Sequence, residues 1–372
     1  MAAGDPVSER PTVSVIVPAR NEEACLGACL ESLVAQTGVK FEIIVVDDGS
    51  TDRTREIARS FAGVRVVEPA PLPPGWIGKN NALVAGAREA RGDWLLFTDA
   101  DTVHRYGSLA RSLEEAQQKK AALLSYSPEQ EVHGLWEKAA MPVIFAELAS
   151  SYRPSDVSDP ESSAAAANGQ YILISREAYD AVGGHAAIAA SLLEDVALAR
   201  AVKASGRKIF FRYGNDAVRT RMYRSFAQLE EGWTKNLALL FPSPGRLAVL
   251  RLTEFVLIVS SVTVAIVMKG RTPGSVAVGL LALTLIGLFL GRIRKAHFSW
   301  DATVLALIGL PLFSYLLLRS RNAYQKGSVS WKGRRYTGNR TFASAVANQV
   351  EAGRSLDSQQ DAGRAPSHVT SI

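Results

Sequence analysis

The chain has 372 residues, 47% hydrophobic and 21% charged, with two cysteines. That composition excludes a disordered chain, a collagen-like repeat and a disulfide scaffold. Net charge is +6, the pI is near 9.3 and mean hydropathy is +0.05. The basic excess gathers in the C-terminal third around apolar runs, which points to a membrane face and away from nucleic acid.

Cys25 and Cys29 share one helix face, and no His or second Cys pair stands nearby to complete a metal site. They read as buried helix residues. The first ten residues are polar and acidic and lack the plan of a signal peptide. The first two-thirds of the chain is therefore expected in the cytoplasm.

Residues 12–17 form a β-branched run, and 22–36 follow with helical periodicity. Residues 41–46 read as a buried strand, with Ser50 or Thr51 as the cap of a helix reaching Phe61. Residues 64–67 form a third strand. This alternation predicts a parallel, doubly wound α/β sheet. A Pro/Gly-rich loop at 69–75 precedes a helix at 79–90, a strand at 94–97, a helix at 106–119 and a strand at 122–126. Residues 135–152 are apolar but broken by Glu137, Lys138, Pro142 and Glu147, which suits an interfacial or core helix. A mobile loop at 154–163, a strand at 170–175 and a helix at 194–204 complete the domain.

Phe241 to Gly245 marks a boundary. Three apolar runs follow at 247–268, 274–291 and 302–318, each near the ~20 residues that a spanning helix needs. The organisation expected is a flexible N-terminus (1–11), an α/β domain (12–242), two to three membrane helices (247–318), a basic flank (319–344) and a disordered tail (345–372). If all three runs cross, the basic 319–335 stretch lies opposite the α/β domain, against the positive-inside rule. One run should then be interfacial or re-entrant, and Arg251 and Glu254 point to the first.

Three acidic pairs stand at junctions of this pattern. Asp47 and Asp48 end the second strand, where open α/β sheets bind ligands, though Asp also caps helices there. Asp99 and Asp101 follow the 94–97 strand, and two such carboxylates can converge on a hard cation beside substrate phosphates. Taken alone, they also fit an acidic turn. Glu194 and Asp195 open a helix, where a carboxylate can be an N-terminal cap or a general base. Lys79 begins a helix after Gly75-Trp-Ile-Gly78, which is not a P-loop; it reads equally as a phosphate contact or a solvated lysine.

As an ordered set, Val13 to Glu23, Val45 to Asp52, Thr98 to Asp101 and Leu193 to Val196 resemble the family 2 glycosyltransferases, which have the GT-A nucleotide-sugar-binding fold. The resemblance covers about 12–240. It implies that Pro18, Ala19, Glu22, Asp47 and Asp48 line the donor pocket with Lys79 and Asp99. Asp101 would bind Mg²⁺ or Mn²⁺, and Asp195 would deprotonate the acceptor for an inverting transfer. The implied donor is a nucleoside diphosphate sugar of the UDP type.

Leu72 to Lys79, Ala164 to Gly169, Val182 to His185 and Trp331 to Tyr336 also resemble a membrane-bound subgroup that includes hopanoid-associated and carotenoid glycosyltransferases. That implies a lipid, polyisoprenoid-type hydroxyl acceptor and a multi-pass protein of the cell (inner) membrane with its catalytic domain in the cytoplasm. Asn168, Gly169, Gln170, Glu194 and Trp233 would border the sugar or acceptor. His185 reads as structural, and Trp331–Tyr336 as an interfacial anchor or a flap over the diphosphate. Processive synthases carry Gln-x-x-Arg-Trp; here Gln228 is followed by Glu231 at the Arg position and Trp233 falls one place late. A single-transfer enzyme fits better than two alternatives, a processive polysaccharide synthase and a non-catalytic nucleotide-sugar-binding membrane protein.

Overall fold

The computed structural model describes residues 10–268 and 273–336. The flexible segment expected over the first residues and the disordered tail at 345–372 lie outside the described residues, apart from Arg10 and Pro11. The described chain divides into two compact units, one of residues up to Ser225 with 288–306, the other of 226–287 with 307 onward.

The first unit begins β1 (Val13–Ala19), α1 (Leu26–Val34), β2 (Phe41–Asp47), α2 (Thr54–Arg59), β3 (Val64–Val67), α3 (Gly78–Glu89) and β4 (Trp94–Phe97). It continues β5 (Thr102–His104), α4 (Ser108–Lys119), β6 (Leu123–Ser127), β7 (Glu129–Gln130), α5 (Leu135–Ser151), α6 (Pro154–Ser158) and β8 (Ile172–Ser175). Then come α7 (Arg176–Ala181), α8 (Gly184–Ala187), α9 (Glu194–Ala204), β9 (Ile209–Tyr213) and β10 (Val218–Thr220). The seven-stranded sheet runs β3-β2-β1-β4-β8-β6-β9, and β8 is antiparallel to both its neighbours. The expected α/β, mostly parallel, doubly wound GT-A-like sheet is present.

Alternation along each strand builds the two faces. Ile16, Ile44, Leu95 and Phe97 point to a core shared with α3, α7 and α9. Their neighbours Val15, Val17, Ile43, Val45 and Leu96 point to a core shared with α1, α2 and α4. On the first face, a Cβ at Gly86 of α3 would stand 2.4 Å from the Ile16 side chain, so the missing side chain lets helix and sheet meet. A small second sheet, β5-β10-β7, flanks the segment after β4.

Neither Ser50 nor Thr51 caps α2, which starts at Thr54. Asp47 instead accepts from the Ser50 N–H, and Asp52 from the Thr54 N–H and hydroxyl, so the turn is closed by aspartates on either side. The segment expected to be a mobile loop opens with α6, with Pro154 at its first turn. It is tied down by Ser158 on the Phe211 backbone and by Lys203, which donates to the Val157 and Ala164 carbonyls. The broken apolar stretch is α5, with Ala140, Val143, Ile144 and Ala146 fully buried, so it is a core helix.

The second unit holds α10 (Phe226–Leu240), α11 (Pro244–Met268), most of α12 (Pro273–Ile293) and of α13 (Trp300–Gln325), and the hairpin β11 (Val329–Trp331) with β12 (Arg334–Tyr336). The hairpin turns on Lys332 and Gly333, both at positive φ. That backbone matches strand twist at a two-residue turn. α11, α12 and α13 are long and apolar enough to cross a membrane. The end of α12 and the first turns of α13 belong to the first unit.

Candidate active site

The carboxyl ends of β1, β2 and β4 lie side by side because these strands pair in parallel, with Ala19 opposite Asp47 and Ile16 opposite Phe97. Pro18, Ala19 and Glu22 therefore occupy the same sheet edge as Asp47, Asp48 and the 98–101 segment. Asp47 is buried; its Oδ2 meets Arg55 Nε at 2.6 Å and its Oδ1 accepts from the Ser50 N–H at 3.1 Å. Burial opposes its ionisation, but the hydrogen bonds from Ser50 and Arg55 prevail and hold its pKa below the usual value. Asp47 is thus a fixed anion. The Asp48 carbonyl accepts from Arg20 at 2.6 Å.

Asp99 Oδ1 meets Lys79 Nζ at 2.7 Å, and the same ammonium meets Glu194 Oε1 at 2.7 Å. Burial pulls the Lys79 pKa down, but the two carboxylates outweigh it and push it well above its usual value. Lys79, read from sequence as a phosphate contact or a solvated residue, is the cation that joins the acid after β4 to the acid at the start of α9.

Gly169 lies against this cluster. A Cβ there would stand 3.2 Å from Lys79 Nζ and 3.3 Å from Glu194 Oε1, so a hydrogen is what fits without displacement. Its N–H donates to Asp195 Oδ2 at 3.1 Å, while Asp195 Oδ1 accepts from the Val196 N–H at 2.8 Å. The helix start alone would favour the ionised form. Burial and the neighbouring Glu194 prevail and raise the Asp195 pKa to about 6, against the opposing pull of Lys79.

Gln170 and Asn168 serve the backbone. The Asn168 side chain accepts from the Gln170 N–H. Gln170, buried, donates to Thr220 Oγ1 at 3.3 Å, and that hydroxyl donates to the Asp101 carbonyl at 3.1 Å. Thr98 donates to the Gln170 carbonyl at 2.8 Å. Thr220 of β10 thus braces the Asp101 turn directly, with Gln170, just ahead of β8, holding Thr220 and Thr98 behind it. His185 is buried on Tyr179, which its Nδ1 approaches at 3.0 Å, and burial lowers its pKa to about 4. Trp233 belongs to the second unit and is 2% exposed, so its ring offers no free face for stacking.

Two supporting residues escaped the sequence reading. Thr220 sits on a three-residue strand with no motif around it. The Asn80 amide lies 2.9–3.1 Å from the carbonyls of Ile188, Ala189 and Ser191 and so fixes the loop that delivers Glu194 and Asp195. Its place beside Lys79 was the one available signal.

The model of glycosyl transferase family 2 matches residues 14–183. A 4,4'-diaponeurosporenoate glycosyltransferase of Staphylococcus aureus strain MRSA252 is 30% identical over 334 residues, spanning 87% of this chain and 88% of that protein. Its counterpart in strain bovine RF122 is 30% identical over 335 residues, covering 88% of each chain. Among solved structures, a mannosyltransferase from Pyrobaculum calidifontis in complex with GDP-Man and Mn²⁺ aligns over 86% of this chain and 88% of its own, at 16% identity and TM-score 0.49. Glucosyl-3-phosphoglycerate synthase from Mycobacterium tuberculosis aligns over 61% of this chain and 78% of its own, at 22% identity and TM-score 0.41. On the curated relatives and the family model, the chain belongs to glycosyl transferase family 2 and is a glycosyltransferase.

Proposed function

We propose that the protein transfers a sugar, with inversion, from a nucleoside diphosphate sugar to the hydroxyl of a polyisoprenoid-type membrane lipid. The observation that carries this is the Asp195 carboxylate, held by two backbone N–H groups beside the Lys79-linked acids at the strand ends. A base must hold its proton neither too tightly nor too loosely, and a pKa near the working pH does this. Asp195 takes the acceptor proton, the acceptor oxygen attacks the anomeric carbon, and the bond to the diphosphate breaks on the opposite side. Pro18, Ala19, Glu22, Asp47, Asp48 and Asp99 bind the nucleotide and sugar. Lys79 holds the Asp99 and Glu194 carboxylates in place.

Asp101 would hold a divalent ion. Among the described residues no three His, Cys, Asp or Glu side chains gather to cage an ion. Mg²⁺ and Mn²⁺ are commonly held by one or two carboxylates shared with substrate phosphates, which is the donor set Asp101 and a nucleoside diphosphate would supply. When bound, such an ion supplies positive charge to the leaving diphosphate. Thr220→Val is expected to loosen the Asp101 turn and raise the Mn²⁺ concentration for half-maximal rate by roughly 10-fold, as loss of a supporting partner does. An unchanged Mn²⁺ titration would remove Thr220 from this role.

The acceptor is read from the three long apolar helices and from relatives named for a carotenoid acid. On this reading the protein is a multi-pass enzyme of the cell membrane with its α/β catalytic domain in the cytoplasm. Purified full-length protein should transfer labelled sugar from UDP-, GDP- or other nucleotide-linked donors into polyisoprenoid-containing vesicles, giving a lipid one sugar heavier by mass spectrometry. Long chains in the product would favour a processive synthase; donor binding without any transfer would favour a binding protein. The anomeric configuration of the product reads out inversion.

The pH profile follows from Asp195. Its carboxylate must be ionised to accept a proton, so kcat/KM should rise with pH, reach half its maximum near pH 6 and level off above. Lys79→Met removes the cation that lowers the Asp195 pKa and should move that limb upward. Identical limbs in both proteins would separate Asp195 from the rate.

A further inference from the structure

The third apolar helix is covered differently from the other two. In the most apolar stretch of α11, 11% of residues are buried, and in α12, 17%; in α13 the share is 50%. Near neighbours such as Val249, Leu250 and Leu252 on α11, or Leu280, Leu281 and Leu283 on α12, are all exposed. They face several directions, as lipid-surrounded helices do. α13 has two faces instead. Ala302, Ala306, Leu310, Phe313 and Leu317 are fully buried, while Trp300, Val304, Ile308, Tyr315 and Leu318 are exposed. Both sets recur at helical spacing, on opposite sides of one helix.

The two ends of α13 are tied to charged residues. Asp301 meets Lys138 of α5 at 2.6 Å, inside the first unit. Inside the second unit, Glu230 of α10 meets the Tyr315 hydroxyl at 2.6 Å and Arg319 at 3.3 Å. Farther along, Ser320 donates to the Thr234 carbonyl and Tyr324 to the Lys235 carbonyl, so the last turns follow α10.

Chain length then decides between crossing and lying flat. Asp301 and Arg319 are about 27 Å apart along a helix, close to the ~30 Å of a bilayer's hydrocarbon core. A crossing α13 would put them in opposite aqueous phases. Yet Lys138 belongs to the first unit, whose continuous N-terminal stretch runs to Ser225, and Glu230 follows Ser225 by a single helical turn and a half at most. So short a stretch, at ~1.5 Å per helical residue, cannot carry Glu230 across.

We propose that α13 does not cross the membrane but lies along the bilayer surface, with its Trp300–Leu318 stripe among the headgroups and upper acyl chains, and that only α11 and α12 cross. The stripe is apolar along its length and is bounded by Asp301 at one end and by Arg319, Arg321 and Asn322 at the other, the pattern of an interfacial helix. The chain then returns to the side it left. Arg292, Arg294 and Lys295 share that side with Arg319, Lys326, Arg334 and Arg335, so the conflict with the positive-inside rule disappears. The suspicion that fell on the first apolar run moves to the third: Arg251 and Glu254 of α11 pair with each other at 2.6 Å.

Two measurements on the full chain test this, and neither depends on the reaction, so they stand apart from the proposed activity. The first uses Cys25→Ser as background, Cys29 being buried. Single cysteines at Ser60, Gly270 and Ser330 are labelled with a membrane-impermeant maleimide in right-side-out and inside-out vesicles. Ser330→Cys should label from the same side as Ser60→Cys, and Gly270→Cys from the other. Labelling of Ser330→Cys with Gly270→Cys overturns the proposal, as does labelling of all three from one side. The second places nitroxides at Val304, Ile308 and Leu318 in phosphatidylcholine–phosphatidylglycerol vesicles. Equal depths are expected; a depth that changes along the helix by about 1.5 Å per residue overturns the flat orientation.

Discussion

Asp195→Asn is expected to lower kcat by roughly 10²–10⁴-fold, the usual worth of a positioned general base, while donor binding persists. Asparagine keeps one acceptor oxygen, enough for either the Gly169 or the Val196 N–H but not both. The lost bond costs about 1 kcal/mol, less than the buried charge it removes, so the segment 168–170 and the start of α9 should hold their positions. It cannot accept the acceptor's proton. Stability should not suffer. The folded protein favours protonated Asp195, whose pKa is pushed up to about 6 from the ordinary aspartate value near 3.8. Between those pH values the unfolded chain releases the proton first, so the wild-type protein loses stability as pH rises and stays at the lower level above. The amide has no such charge to bury, and the variant's Tm at neutral pH should equal or exceed that of the wild type. Undiminished turnover would remove Asp195 as the base. It would fit an acceptor that arrives already ionised, such as a carboxylate, which has no proton to give.

Asp101→Ala is expected to abolish the response of transfer to Mn²⁺ and Mg²⁺. Metal stabilisation of a leaving group is worth several kcal/mol, so the rate at saturating donor should fall by roughly 10²–10³-fold. The backbone around Asp101 is braced by Thr220 through its carbonyl, so the side chain can be removed with the turn kept. Mn²⁺ binding in the presence of nucleoside diphosphate, followed by the electron spin resonance of free Mn²⁺, should weaken in parallel. A metal response equal to that of the wild type would place the ion elsewhere or dispense with it.

The fold was legible because its periodicities are strong. β3, β4 and α9 begin and end within a residue of where the pattern places them. The strand β8 was found, but its reversed direction was not, since a buried β-branched run reads the same in either sense. α6 was missed because a Pro/Ser/Asp stretch resembles a loop until Ser158 and Lys203 are seen to hold it. The acids of the site were visible as strand-end and helix-start residues. Their partners were not. Nothing local to Lys79 says that it will sit between Asp99 and Glu194, which come from separate elements far along the chain.

By itself, then, the sequence determined the class of sheet, the acidic character of its carboxyl edge, and the presence of apolar helices beyond it. These depend on neighbours within a few positions, through side-chain alternation and hydropathy. Tertiary structure alone decided which acid is neutralised, which is raised toward neutrality, and which apolar helix has a covered face. Those outcomes rest on burial and on charges brought together from distant segments. Burial lifts the Asp195 pKa, Lys79 ties together two other carboxylates, and packing on one side of α13 leaves a single stripe for lipid.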